Sequence, residues 1–125
     1  MKRLLFICIE NSCRSQIAEA FAKIHGGENV EAYSAGSRPS GSVNPRAIAS
    51  MADIGCPLDG HQSKSLDDIP KYHYDYVVTM GCGDECPFIP ASHHIDWDIP
   101  DPKNMPPEQF NKVRDDIERR VKRIL

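Results

Sequence analysis

Leu4-Leu5-Phe6-Ile7-Cys8-Ile9-Glu10-Asn11-Ser12-Cys13-Arg14-Ser15 joins an apolar run to a polar turn and then to a helical pattern. Lys2 to Cys8 reads as a buried strand, since it is a short apolar run that ends in turn-forming residues. Ser15 to His25 reads as a helix: Ile17, Ala20, Phe21 and Ile24 recur at three- and four-residue spacing, and Gly26-Gly27 ends it. The order strand, loop, helix puts a thiol (Cys8) and a guanidinium (Arg14) around backbone N–H groups at the positive end of a helix dipole. Such a loop binds a tetrahedral oxyanion and favours the thiolate of a cysteine held in it. Nucleophilic chemistry on a phosphate-like anion is therefore expected.

Outward from this stretch, strand and helix patterns alternate. Val30 to Ala35 reads as a second strand, followed by a loop rich in Pro, Ser and Gly. Asn44-Pro45 then opens a helix with an N-cap and a first-turn proline, and Ile48, Met51 and Ile54 continue it to Gly55. Ser65 to Ile69 is a short helical turn, Tyr74 to Met80 a third strand, Gly81 to Pro90 a loop and His93 to Asp96 a fourth strand. Pro100 to Pro107 is a further loop. The last segment is the clearest helix, with Phe110, Val113, Ile117, Val121 and Ile124 on one stripe. The expected fold is α/β: one domain over residues 1–125, a four-stranded parallel sheet with helices on both faces and active loops at the strand C-terminal ends.

The 125 residues suffice for one core but not for two. Acidic residues outnumber basic ones, 18 to 15, and the basic residues of the last helix alternate with Asp115, Asp116 and Glu118. That pattern gives no clustered basic face, so no nucleic acid is expected as a partner. No segment reaches the roughly 18 consecutive apolar residues of a membrane span, so no membrane partner, signal peptide or anchor is expected. Five cysteines, an odd number, point to reactive or metal-binding thiols in a reducing cytoplasm rather than to a disulfide framework.

Cys8 is the candidate nucleophile. A buried hydrophobic role would also suit a cysteine at a strand end, but Arg14 is a costly neighbour there unless an anion shares the site, and its planar fork suits bidentate binding of that anion. Glu10, Asn11, Ser12, Cys13 and Arg14 form the substrate-binding loop. Ser15 is either an N-cap or a hydroxyl donor to Cys8, and Asn11 is expected to take a left-handed turn conformation. Attack on an oxyanion requires a proton for the departing oxygen, for which Asp101, before Pro102, is the candidate general acid and Asp96 and Asp98 are competitors. Cys82 and Cys86 form a Cys-x3-Cys pair flanked by Gly81 and Gly83. One helical turn would separate them by about 6 Å between Cα atoms, within disulfide range. Two incidental thiols, or a zinc site completed by His93 and His94, are the other readings of the pair.

These residues resemble the arsenate reductases built on the low-molecular-weight protein tyrosine phosphatase fold. The resemblance spans nearly the whole chain: Cys8-x5-Arg14-Ser15-Gln16 with Ala18-Glu19, Tyr33-Ser34-Ala35-Gly36, Asn44-Pro45, Val77-Val78-Thr79-Met80, Cys82 and Cys86, Trp97, Asp101-Pro102, and the helix containing Val113 to Ile117. It implies a flavodoxin-like topology and a thiol relay. Cys8 attacks arsenate while Asp101 protonates the leaving oxygen, Cys82 attacks the Cys8 adduct, and Cys86 attacks Cys82. The relay implies no bound cofactor, and the resulting disulfide goes to thioredoxin or to a low-molecular-weight thiol system. The Cys82-to-Cys86 spacing is shorter than in well-known thioredoxin-coupled members, so both reductants stand.

Two other positions depart from the family pattern. Glu10 replaces a common glycine and is expected to point outward, because a carboxylate turned into an anion site would repel substrate. Lys64 falls where potassium-binding members have an aspartate, alongside Asn11, Glu19 and Ser34; a lysine there is expected to occupy the cation's place and pair with Glu19. The alternatives to a reductase are a low-molecular-weight phosphatase, which would share Cys8, Arg14 and Asp101 but have no use for the cysteine pair, and a non-catalytic redox or zinc-binding protein. Lys103 and Asn104 follow Pro102, where phosphatases of this fold generally carry tyrosines.

Overall fold

The computed structural model describes residues 1–58, 60–81 and 88–125. Four strands, β1 (Lys2–Cys8), β2 (Val30–Gly36), β3 (Tyr74–Thr79) and β4 (Ala91–Asp96), form one parallel sheet in the order β2-β1-β3-β4. Three helices accompany them: α1 (Arg14–Gly26), α2 (Pro45–Ala52) and α3 (Pro107–Ile124). Residues Gly27–Asn29 and Leu66–Asp68 add short 3₁₀ turns.

The period-2 geometry of β1 divides its side chains between two cores. Leu4, Phe6 and Cys8 pack with Ile17 and Phe21 of α1, Met51 of α2, and Phe110, Ile117 and Val121 of α3. Leu5 and Ile7 join Ala35, Ile69, Tyr74 and Val77 on the opposite face. Each fully buried side chain of this size contributes about 1.5–3 kcal/mol relative to exposure.

The parallel α/β architecture is as expected, with one difference in detail. Among the described residues, all three helices contribute to the core on the Phe6 face, while the 3₁₀ turn at Leu66 and its flanks cover the other. Gly55, Pro57, Gly60 and Pro70 break up the long crossover from β2 to β3 after α2.

Several boundaries and stripes also shift. β4 begins at Ala91 rather than His93, because Ala91 pairs with Tyr74. Its residues are mostly exposed, so the strand carries little apolar signal. Ile24, Ile48 and Ile54 are 51%, 44% and 40% exposed, so none belongs to a buried stripe. α2 instead buries Ala47, Ser50 and Met51. Ser50 hydrogen-bonds Asn111 of α3 and accepts from the Arg114 guanidinium there, so small and polar residues, not isoleucines, form this helix contact.

β1 lies between β2 and β3, so the chain reverses direction across the sheet at its C-terminal end. Crevices at such switch points are the ligand sites of open α/β sheets. The register puts Cys8 beside Gly36 of β2, and Ile7 beside Thr79 of β3.

Candidate active site

The turn from Cys8 to Arg14 is held by its carbonyl groups. Ile9 O accepts from Arg38 N, Glu10 O from Ser40 N and Ser63 Oγ, Ser12 O from Asn44 N, and Cys13 O from Ile17 N. Asn11 O accepts from Gln16 Nε2. A trans peptide places N–H opposite C=O. With these carbonyls turned out to their partners, the following N–H groups, from Glu10 to Arg14, face the concavity of the turn. Such a concavity of amides binds anions. Gly36 permits the fit: a Cβ at that position would lie 2.5 Å from Ile9 O and 2.9 Å from Asn11 N.

The sulfur of Cys8 is buried in this turn, 2.8 Å from Ser15 Oγ. Ser15 Oγ accepts from Asn11 Nδ2 at 2.7 Å, which leaves its own hydrogen for the sulfur. The Ser15 hydroxyl is thus placed to donate to a Cys8 thiolate, and the N-cap position belongs to Cys13. Asn11 is left-handed, with φ of +50°, as the sequence suggested. Its amide also donates to Ser34 Oγ, and its Oδ1 accepts from Gln16 Nε2 and Lys64 N. Every hydrogen-bonding position of this fully buried side chain is used.

The Arg14 side chain is 7% exposed, donates from Nη1 to Ile99 O at 2.9 Å, and places Nη2 3.8 Å from Asp101 Oδ2. Asp101 is therefore the carboxylate that reaches the anion turn. Asp96 accepts from Thr79 Oγ1 at the edge of the sheet. Glu10 points outward to Lys103, with Oε2 3.4 Å from Nζ. The Cys13 thiol is pushed up to about 12 by burial, opposed by its Ser12 hydrogen bond. Cys13 stays protonated beside Cys8.

Behind the turn, Glu19 is almost completely buried. Burial would raise its carboxyl, but hydrogen bonds from Lys23 and Ser34 and the Lys64 and Lys23 ammoniums outweigh that and hold it below the usual range. Lys23 Nζ stands 2.6 Å from Glu19 Oε2, and Lys64 Nζ 3.7 Å from Oε1. Burial also lowers His61, assisted by Lys23 and Lys64 against the opposing charge of Glu19. As the neutral ring it can donate from Nδ1 to Gln16 Oε1, 2.9 Å away.

Cys82 and Cys86 lie outside the described residues. The chain reaches them through Gly81, beside Arg14. His93 and His94, proposed with them as zinc ligands, diverge: His93 stacks on Tyr76, whereas His94 Nε2 stands 2.7 Å from Ile89 O and its ring stacks on Phe88. Neighbouring strand residues point to opposite faces, so this pair does not converge on one ion. The seats provided by Gly36 and Gly81 and the Ile99 carbonyl are further site features that sequence reading did not identify. A carbonyl is present at every residue and carries no signature of its own.

Comparison with known proteins places this geometry among others. The family model described as low molecular weight phosphotyrosine protein phosphatase matches residues 3–125. The glutaredoxin arsenate reductase of Synechocystis sp. is 35% identical over 128 residues, covering 100% of this chain and 97% of that protein. A solved arsenate reductase in the phosphate-binding state superposes with a TM-score of 0.89 at 35% identity, over 99% of this chain and 96% of that one. The thioredoxin-dependent arsenate reductase of Corynebacterium glutamicum superposes with a TM-score of 0.79 at 31% identity, over 99% of this chain and 60% of that one.

Proposed function

The chain belongs to the low molecular weight phosphotyrosine protein phosphatase family, and within it we propose that this enzyme reduces arsenate to arsenite by a thiol relay. The observation that carries this reading is the amide-lined turn, with Cys8 Sγ at its base beside Ser15 and Arg14 at its rim, in a chain that continues from Gly81 into a cysteine pair. The similarity to arsenate reductases supports arsenate as the oxyanion.

The Cys8 thiolate attacks arsenic, and an As–O bond breaks as Asp101 supplies the proton to the departing oxygen. Arg14 and the turn amides stabilise the remaining charge. Cys82 then attacks Cys8 Sγ, and the S–As electron pair passes to arsenic, reducing As(V) to As(III). Arsenite leaves, and a Cys8–Cys82 disulfide remains. Attack by Cys86 on Cys82 frees Cys8, and the Cys82–Cys86 disulfide takes two electrons from an external thiol system. A bound cofactor has no place in this sequence. A reducing cytoplasm is the compartment that suits it.

The deciding assay is steady-state arsenate reduction with thioredoxin and thioredoxin reductase, and separately with glutaredoxin and a low-molecular-weight thiol, beside hydrolysis of an aryl phosphate. Arsenite production with one of the two reductants is expected. Aryl phosphate hydrolysis without arsenate reduction by either would refute the assignment and favour a phosphatase. Asp101→Asn is expected to slow single-turnover attack on arsenate by about 10²- to 10⁴-fold, the usual contribution of a general acid. Its affinity for phosphate should persist, because Arg14 and the turn amides remain. An unchanged single-turnover rate would remove Asp101 from this role.

Lys64 takes the part of a cation in this reading: its ammonium faces Glu19 while its backbone N–H anchors Asn11. Activity and thermal stability are therefore expected to be equal in potassium and in sodium at matched ionic strength. A potassium-specific increase in either would show that a cation still binds.

A further inference from the structure

Gly81 follows β3 with φ of +82°, a backbone conformation that side-chain-bearing residues rarely adopt. It has a second constraint as well. A Cβ at this position would lie 2.5 Å from Arg14 Nη1, 3.7 Å from Arg14 Cζ and 3.3 Å from Ile99 O. The Arg14 guanidinium is thus held between the bare backbone of Gly81 and the segment from Ile99 to Asp101. Nη1 donates to Ile99 O at 2.9 Å, and Nη2 faces Asp101 Oδ2 at 3.8 Å.

The two sides of this seat differ in what they can yield. The guanidinium ends a flexible side chain and can retreat from a methyl group, whereas the backbone that leads into Gly81 is tied into the sheet. Thr79 pairs with Ile7 and with Asp96, and Met80 N donates to Ile7 O. A side chain at residue 81 would therefore displace the oxyanion clamp far more than it would disturb the fold.

We propose that Gly81 is a positioning residue for oxyanion binding, fixing by its bare backbone where the Arg14 guanidinium stands. The inference rests on Arg14 as an oxyanion ligand and deepens the function proposed above. Gly81 also immediately precedes Cys82, so one residue joins the anion clamp to the chain that carries the second thiol. Anion affinity and the start of the relay segment share a single steric constraint.

The test compares Gly81→Ala with Gly55→Ala by titration with inorganic phosphate and by thermal unfolding. Gly55 has a similar φ of +74°, with nothing within 4 Å of a Cβ built there, so it reports backbone strain alone. Both variants should lose similar thermal stability. Only Gly81→Ala should weaken phosphate binding, by about tenfold to a hundredfold, the scale expected when a binding group is displaced by about 1 Å. In an Arg14→Lys background the same glycine substitution should add no further loss, because the group it displaces is gone.

Phosphate affinity of Gly81→Ala within twofold of the parent would overturn the proposal, as would losses that add in the double variant. Outright unfolding of Gly81→Ala alone would also overturn it, by assigning the glycine to the fold. Because the readout is phosphate, it reports on the seat whether or not the parent turns over arsenate. A parent that binds no phosphate would refute both readings.

Discussion

Cys8→Ser is expected to abolish arsenate reduction and aryl phosphate hydrolysis together, lowering each by a factor on the order of 10⁴ to 10⁶, as loss of a catalytic nucleophile does. The serine hydroxyl is close in size to the thiol and would still meet Ser15 Oγ, which lies 2.8 Å from the present sulfur. The carbonyls of the turn would keep their partners, since those bonds involve backbone groups of residues 9 to 13 and not the side chain of residue 8. Folding and phosphate binding should survive while chemistry is lost. The check is single-turnover arsenite formation beside a phosphate titration. Residual activity within a hundredfold of the parent would place the nucleophile elsewhere.

The second large effect separates the two chemistries. Cys82→Ser is expected to stop catalytic arsenate reduction, by a factor on the order of 10³ or more, while leaving aryl phosphate hydrolysis near the parental rate. In the proposed mechanism phosphoester hydrolysis would need only Cys8, Arg14, Asp101 and water, whereas reduction would require a second thiol to take Cys8 away from arsenic. Cys86→Ser should behave differently again: one arsenite is released per chain, and the enzyme stops as a Cys8–Cys82 disulfide. Quenched samples analysed for arsenite and for the disulfide-linked peptide decide the matter. Multiple turnovers by Cys82→Ser with a dithiol reductant would eliminate the relay.

The turn that brings together Cys8, Arg14 and the left-handed Asn11 was legible in the sequence because they lie within eight consecutive residues, where spacing translates directly into geometry. The strand and helix on either side were legible for the same reason. Features made by distant pairs were not. The partner of Glu10 is 93 residues away, and the acceptor for Arg14 is a backbone carbonyl 85 residues away. Either contact is settled only when the crossovers have brought the strand ends together. In the sequence Gly81 is only a glycine flanking the cysteine pair, while its place against Arg14 depends on a side chain from another element. The helical spacing of Ile48 and Met51 marks α2 but not its buried face: Met51 is buried with the small Ala47 and Ser50 while Ile48 is not, because close helix approach favours the smaller residues. β4 was shortened because an exposed edge strand has little apolar alternation to read.

The outward carbonyls of the turn also limit how this site can be re-engineered. Their donors come from Gln16, Ile17, Arg38, Ser40, Asn44 and Ser63, so segments spread between residues 16 and 63 hold one short ring. Grafting the octapeptide onto another strand–helix junction would transplant the letters without the anchors, and the amides would have no reason to converge. The side chains of Glu10 and Lys103 take no part in that scaffold and pair with each other where solvent reaches both. A laboratory search for altered oxyanion or ester preference therefore has its freedom at this outer pair, with the ring left as it is.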